Sequence, residues 1–218
     1  MMILPCISII AACICVIACT FHIIRLLRLG KPKEYSQKSG NVATAEVYSY
    51  TSAMMPWHKE SAYKHLPSFI GGIFFHVGTL ISLLLWIAFF FVSPLSVPFL
   101  WMMLIITVLT VSAISGYLLL IKRLIVKKLR NLSNWDDYLS NFLTTFFQIM
   151  TVSYFVLPQW FITIYYISAI LLFLYIPVGK LRHVAYFFAA RFQLGYFYGW
   201  RNVWPPSKKL KSSDGKNN

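Results

Sequence analysis

Residues 66–92 read LPSFIGGIFFHVGTLISLLLWIAFFFV, with no Lys, Arg, Asp or Glu among them. About 20 apolar residues cross a hydrocarbon core about 30 Å thick at a rise of 1.5 Å per residue, so this stretch is long enough to span a membrane as a helix. One ionisable residue lies within it. His76 lies ten positions inside the run, roughly 15 Å along a helix axis, where water is not an easy partner. Ionisable residues at such depth usually mark a function, and imidazole is a common metal ligand.

The rest of the chain repeats the pattern. Hydrophobic residues make up 58% of the 218 and charged residues only 12%, the composition of an integral membrane protein. Charge-free runs cover about 3–24, 66–92, 95–121, 139–157 and 160–178, which predicts an all-α bundle of five transmembrane helices. The fourth run is short and rich in Thr and Ser. The first is expected to be a retained helix and not a cleaved signal, because no basic segment precedes it and it exceeds the length of a signal core.

Charge placement predicts the orientation. All 20 Lys and Arg fall on one side of a five-helix arrangement, with seven in 25–65, five in 122–138 and eight from 179 onward. By the positive-inside rule that side is cytoplasmic, so the N-terminus is outside and the C-terminus inside. Topology therefore accounts for the net charge of +14, and nucleic-acid binding is not needed to explain it. The cluster Lys122, Arg123, Lys127, Lys128 and Arg130 would also attract anionic lipid, without specificity. Residues 1–205 are expected to form one five-helix membrane domain and 206–218 a basic, flexible cytoplasmic tail. The outer connections are too short to hold a domain, and the inner segments read as loops. Trp57, Trp135, Trp160, Trp200 and Trp204 lie near the expected interfaces, as aromatic belts do.

Several chemistries find no residues to carry them. The four cysteines, Cys6, Cys13, Cys15 and Cys19, all sit in the first run, where thiols behave as small hydrophobes. There is no CxxCH or paired CxxC, and no Walker or dinucleotide fingerprint. So few intramembrane polar groups do not assemble a nucleophile with its base.

The histidines remain. His58 and His65 read as surface loop residues, and His22, at the inner end of the first run, can reach the headgroups. His183 follows Lys180 and Arg182 in IPVGKLRHVAYFF at the inner end of the fifth run; alone it would be an interfacial histidine. Together His76 and His183 suggest one axial ligand from each of two helices to a haem iron, with neighbouring cations on the propionates. Two imidazoles leave no open iron position, which favours electron transfer over oxygen chemistry. Gly71, Gly72 and Gly78 would let a flat macrocycle or another helix approach the backbone.

Three segments carry a family resemblance: FFHVGTLISLLLW over 74–86, IKRLIVKKLRNLSNWDDYLSNFL over 121–143 and YIPVGKLRH over 175–183. In order and topology, and with the RNVWPP tail, the chain resembles the membrane cytochrome b subunits typified by the gamma subunit of respiratory nitrate reductase. That family includes the membrane cytochromes of sulfite-reduction complexes and of heterodisulfide reductase. The resemblance implies a haem b-containing anchor in the cytoplasmic membrane of a prokaryote. Such an anchor passes electrons between the quinone pool and an iron–sulfur or other redox subunit at the cytoplasmic face, and is not catalytic alone.

Two-haem members carry two further histidines, at places that here hold Trp86 and Tyr165. A single haem b on the cytoplasmic side is therefore expected, with His76 and His183 as iron ligands and Lys180, Arg182 and Arg191 toward the propionates. Counted from the outer helix ends the two histidines differ in depth by about 10 Å, of which a tilt of about 20° absorbs part. His65 and His22 are held in reserve, and a rival count pairs His65 with His76. The alternative from another class is a haem-free membrane scaffold or assembly subunit of such a complex.

Overall fold

The computed structural model of the chain describes residues 3–30, 34–58 and 60–206. From 207 onward the expected basic tail lies outside the described residues, as do Lys31, Lys33 and Lys59 of the first basic segment. Among the described residues there are helices and no strands. The α-helices are α1 (Ile3–Arg28), α2 (Val42–Tyr50), α3 (Glu60–Lys64), α4 (Leu66–Ala88), α5 (Phe99–Ile125), α6 (Lys127–Asn131), α7 (Trp135–Val156), α8 (Pro158–Tyr175) and α9 (His183–Trp200). Five of them, α1, α4, α5, α7 and α8, are long and apolar enough to cross a membrane, which marks the chain as a multi-pass membrane protein.

Their boundaries depart from the charge-free runs for local reasons. Helix α5 continues through Lys122 and Arg123 in its last turn, where cations favour the exposed carbonyls. Helix α7 starts four residues before its apolar run. Asn134 is its N-cap and forms a capping box with Asp137, whose carboxylate accepts from the Asn134 N–H at 3.0 Å. This reciprocal arrangement satisfies two amides that a helix start leaves open.

The described residues divide into two compact units, one comprising 3–20 and 67–182, the other 21–66 and 183–206. In the first unit α7 is central, packing against both α5 and α8. Half of its most apolar window is buried, against 17–33% in the other spans. Its buried face is largely polar, with Ser140, Thr144, Gln148 and Thr151. The outer faces of α1, α4 and α5 instead expose Ile17, Leu80, Leu84 and Leu118. That inversion suits lipid, where apolar side chains gain nothing by turning inward and small or polar groups bring helices together. Gly78 of α4 shows the closeness reached, since a Cβ there would collide with the Ser112 side chain of α5.

The remaining core of this unit is aromatic. Trp86, Phe147, Tyr154, Tyr165, Tyr166 and Phe173 form one cluster with Ala11 and Cys15 of α1. Tyr165 stacks on Tyr154 at 4.6 Å between centroids and 12° between planes, and Trp86 meets Phe173 edge-on at 4.7 Å. Offset-stacked and edge-on pairs of this kind add to simple area burial.

The second unit corrects the expectation that the inner segments are only loops. Helices α2 and α9 pack on each other through small residues, with Ala45 and Ser49 on one side and Gly195 and Gly199 on the other. Ser49 Oγ donates to the Arg191 carbonyl at 2.8 Å, and Trp200 Nε1 to the Ser36 carbonyl at 2.8 Å. Helix α9 ends in a Schellman turn. Asn202 takes φ of 57°, while its N–H and that of Val203 donate to the carbonyls of Gly199 and Tyr198 at 3.2 and 2.9 Å. Asn tolerates that left-handed position better than most residues.

Candidate functional site

His76 sits in the middle of α4 on an exposed face shared with Ile73, Val77 and Leu80. Its ring lies 6.1 Å from that of Phe75. One turn earlier on the same face is Gly72, where, as at Gly71, a Cβ would meet no other atom within 4 Å. No other element therefore covers α4 at Gly71 and Gly72.

The turn that carries His76 is fixed from behind. Gln148 of α7 is fully buried. Its Nε2 donates to the Phe75 carbonyl at 3.1 Å and to Thr79 Oγ1 at 2.7 Å, while its Oε1 accepts from Ser112 Oγ at 2.9 Å. One amide thereby ties α4, α5 and α7 together at the level of the histidine. In the sequence Gln148 shows only as an amide side chain deep within an apolar run.

His183 is not at the end of the fifth span. Helix α8 stops at Tyr175, Pro177 follows two residues later, a 3-10 turn covers Lys180–Arg182, and His183 is the first residue of α9. Proline lacks the N–H a helix needs and clashes with the preceding turn, so the run counted as 160–178 ends early. His183 and Arg182 are both exposed. Arg191, also on α9, has its guanidinium carbon 5.9 Å from the Phe187 ring centroid.

Lys180 belongs to a different constellation from the one expected. Its ammonium pairs with the carboxylate of Asp137, which also takes Arg123 Nη1 at 2.8 Å. The neighbouring Asp136 carboxylate accepts the Tyr175 hydroxyl. The α5 end, the α7 start and the turn after α8 are thus clamped around two adjacent acids. The cations that pair with Asp137 come from two other elements, Arg123 from the end of α5 and Lys180 from the turn after α8.

Of the reserve histidines, His22 has Nδ1 3.0 Å from the Tyr186 hydroxyl, and His65 is exposed between α3 and α4. His58 has Nδ1 2.8 Å from the Ser52 carbonyl. His76, Lys180 and Arg182 belong to the first compact unit; His22, His65, His183 and Arg191 belong to the second. Among the described residues no three His, Cys, Asp or Glu side chains converge as a metal cage.

The two positions where further histidines would stand are core positions. Trp86 is 8% exposed and donates Nε1 to Ser8 Oγ at 3.3 Å. Tyr165 is wholly buried, and its hydroxyl has no hydrogen-bond partner among the described residues. Both side chains are packed into the same aromatic cluster. Comparison with known proteins adds no relative: no family model matches the chain, and neither a curated protein nor a solved structure does.

Proposed function

We propose that this chain is a haem b-carrying membrane anchor, seated in the cytoplasmic membrane of a prokaryote with its C-terminus inside. It passes electrons between the quinone pool and an iron–sulfur or other redox subunit. The observation that carries the proposal is His76: an imidazole at mid-span, on an exposed apolar face that no other element covers at Gly72. The donor chemistry fits a haem iron, for which neutral imidazole is a common axial ligand. His183 supplies the second imidazole on this proposal, and Arg182 and Arg191 supply charge for propionates. Lys180, already paired with Asp137, contributes to holding the turn before His183. When bound between two imidazoles, a b haem supplies one-electron transfer with no position open to oxygen. The protein's own part is to fix the ligand-bearing turn through Gln148 and to exclude water with apolar surroundings. The redox partner docks on 25–65, on 122–138 and on the segment from Arg191 onward.

An absorbance spectrum of the purified full chain tests this. Sharp reduced bands of a bis-imidazole b haem are expected, and His76→Ala and His183→Ala should each abolish haem retention. Both side chains are exposed, so truncation leaves the core intact, and an unchanged helical content confirms that the loss is one of ligation. Normal haem content in both variants refutes the ligand assignment. A haem-free spectrum of the native complex favours the scaffold reading instead.

A further inference from the structure

The first unit carries a groove of about 660 Å³ between the end of α5 and the start of α7. Its walls are apolar, formed by Leu120 and Leu124 on one side and Phe142 on the other, and its rim holds Arg130, Trp135 and Tyr138. It sits where both spans change from apolar to charged residues, the level at which lipid headgroups meet a membrane protein.

Of the five cations between 122 and 130, Lys122 is engaged by the Ser68 hydroxyl and Arg123 by Asp137. Among the described residues, the Arg130 guanidinium has no acceptor, and neither the indole N–H of Trp135 nor the hydroxyl of Tyr138 has one. Trp135 is 83% exposed, although its ring would be costly to leave in water. Among the described residues no carboxylate lines the groove, and Asp136 and Asp137, next to Trp135 in the chain, are committed to Tyr175, Arg123 and Lys180. A cation and two neutral donors facing one opening suit a phosphodiester. The apolar walls and a volume in the range of whole-ligand pockets leave far more room than a phosphate requires.

We propose that this groove is a binding site for one anionic phospholipid. Its phosphodiester sits on Arg130, Trp135 and Tyr138, and its acyl chain lies along Leu120, Leu124 and Phe142. The site differs from diffuse attraction to the basic segment because only Arg130 of the cations lines it; Lys127 and Lys128 do not.

The test uses the full chain in phosphatidylcholine nanodiscs titrated with brominated phosphatidylglycerol, reading tryptophan quenching. Trp135→Phe identifies the component due to the groove. Arg130→Gln should weaken that component's half-saturation about five-fold, the worth of one juxtamembrane cation. Lys127→Gln and Lys128→Gln should leave it within experimental scatter. Equal losses in all three charge variants would show diffuse attraction and overturn the site. So would equal quenching by brominated phosphatidylcholine or full competition by soluble glycerol phosphate.

Discussion

Replacing Gln148 with Leu isolates the polar tie that joins three spans. The side chain makes three hydrogen bonds, at 2.7, 2.9 and 3.1 Å, to Thr79, Ser112 and the Phe75 carbonyl. Hydrogen bonds between transmembrane helices average about 0.6 kcal/mol and reach about 1.7 kcal/mol. Three average bonds thus predict a loss of about 2 kcal/mol. The low end is the right one, because the substitution strands no donor. Thr79 Oγ1 also donates to the Phe75 carbonyl at 2.7 Å, and Ser112 Oγ has that carbonyl at 3.4 Å. Leu fills a volume close to that of Gln, so packing is preserved. Gln148→Ala should cost more, since large-to-small changes in a packed interior add a cavity penalty, typically about 2–5 kcal/mol for Leu→Ala.

The measurement is reversible unfolding in bicelles by titration with a denaturing detergent. A double-mutant cycle with Thr79→Val should return a coupling of about 0.6 kcal/mol, bounded near 1.7 kcal/mol. Two results refute the reasoning: Gln148→Leu as stable as the native chain, or a double variant whose loss is the plain sum of the singles. Either would mean that the amide does not join the helices.

In the second unit, a Cβ at Gly195 would lie 2.5 Å from Glu46 Cα and 3.0 Å from its backbone nitrogen. Gly195→Ala should therefore destabilise the α2–α9 pair by about 1–3 kcal/mol, despite the gain of about 1 kcal/mol that Ala brings to a helix interior. Hydrogen exchange over 42–50 measures this, and slower exchange would contradict it. The Ser36 hydroxyl and amide, with Arg201, hold the Glu34 carboxyl below the usual carboxylate range. A depressed carboxyl contributes stability above its unfolded value and loses it as pH falls through the folded one. Acidification below about pH 4 should thus loosen the 34–36 turn from Arg201, seen as increased exchange there. Glu34→Gln should abolish that pH dependence, and an unchanged profile in the variant would contradict it.

Legibility along the chain varied with the kind of residue. His76 was visible because an imidazole inside twenty-seven uncharged positions has no other explanation in composition. Gln148 was equally deep, yet its role depends on Phe75, Thr79 and Ser112 lying on two other helices. The turn at Pro177 carries ordinary breaker chemistry, but counting charge-free residues overrides it, which is why His183 was placed on the wrong helix. Helix α2 (VATAEVYSY) has no charge-free length to betray it. It is stabilised by close contact with the glycines of α9, residues with no side chain to announce an interface.

What the sequence determined on its own was the number and rough extent of the spans, because insertion depends on a local sum of apolar residues over about 20 positions. Tertiary structure decided which face of each span turns inward. In a soluble protein the hydrophobic effect selects the apolar face for burial, and periodicity reveals it. In lipid both faces are apolar, so the inward face goes to whichever small, polar and aromatic side chains find complementary partners on another helix. The partners of Gln148, the burial of Trp86 and Tyr165 and the Asp137 clamp are all choices of that kind.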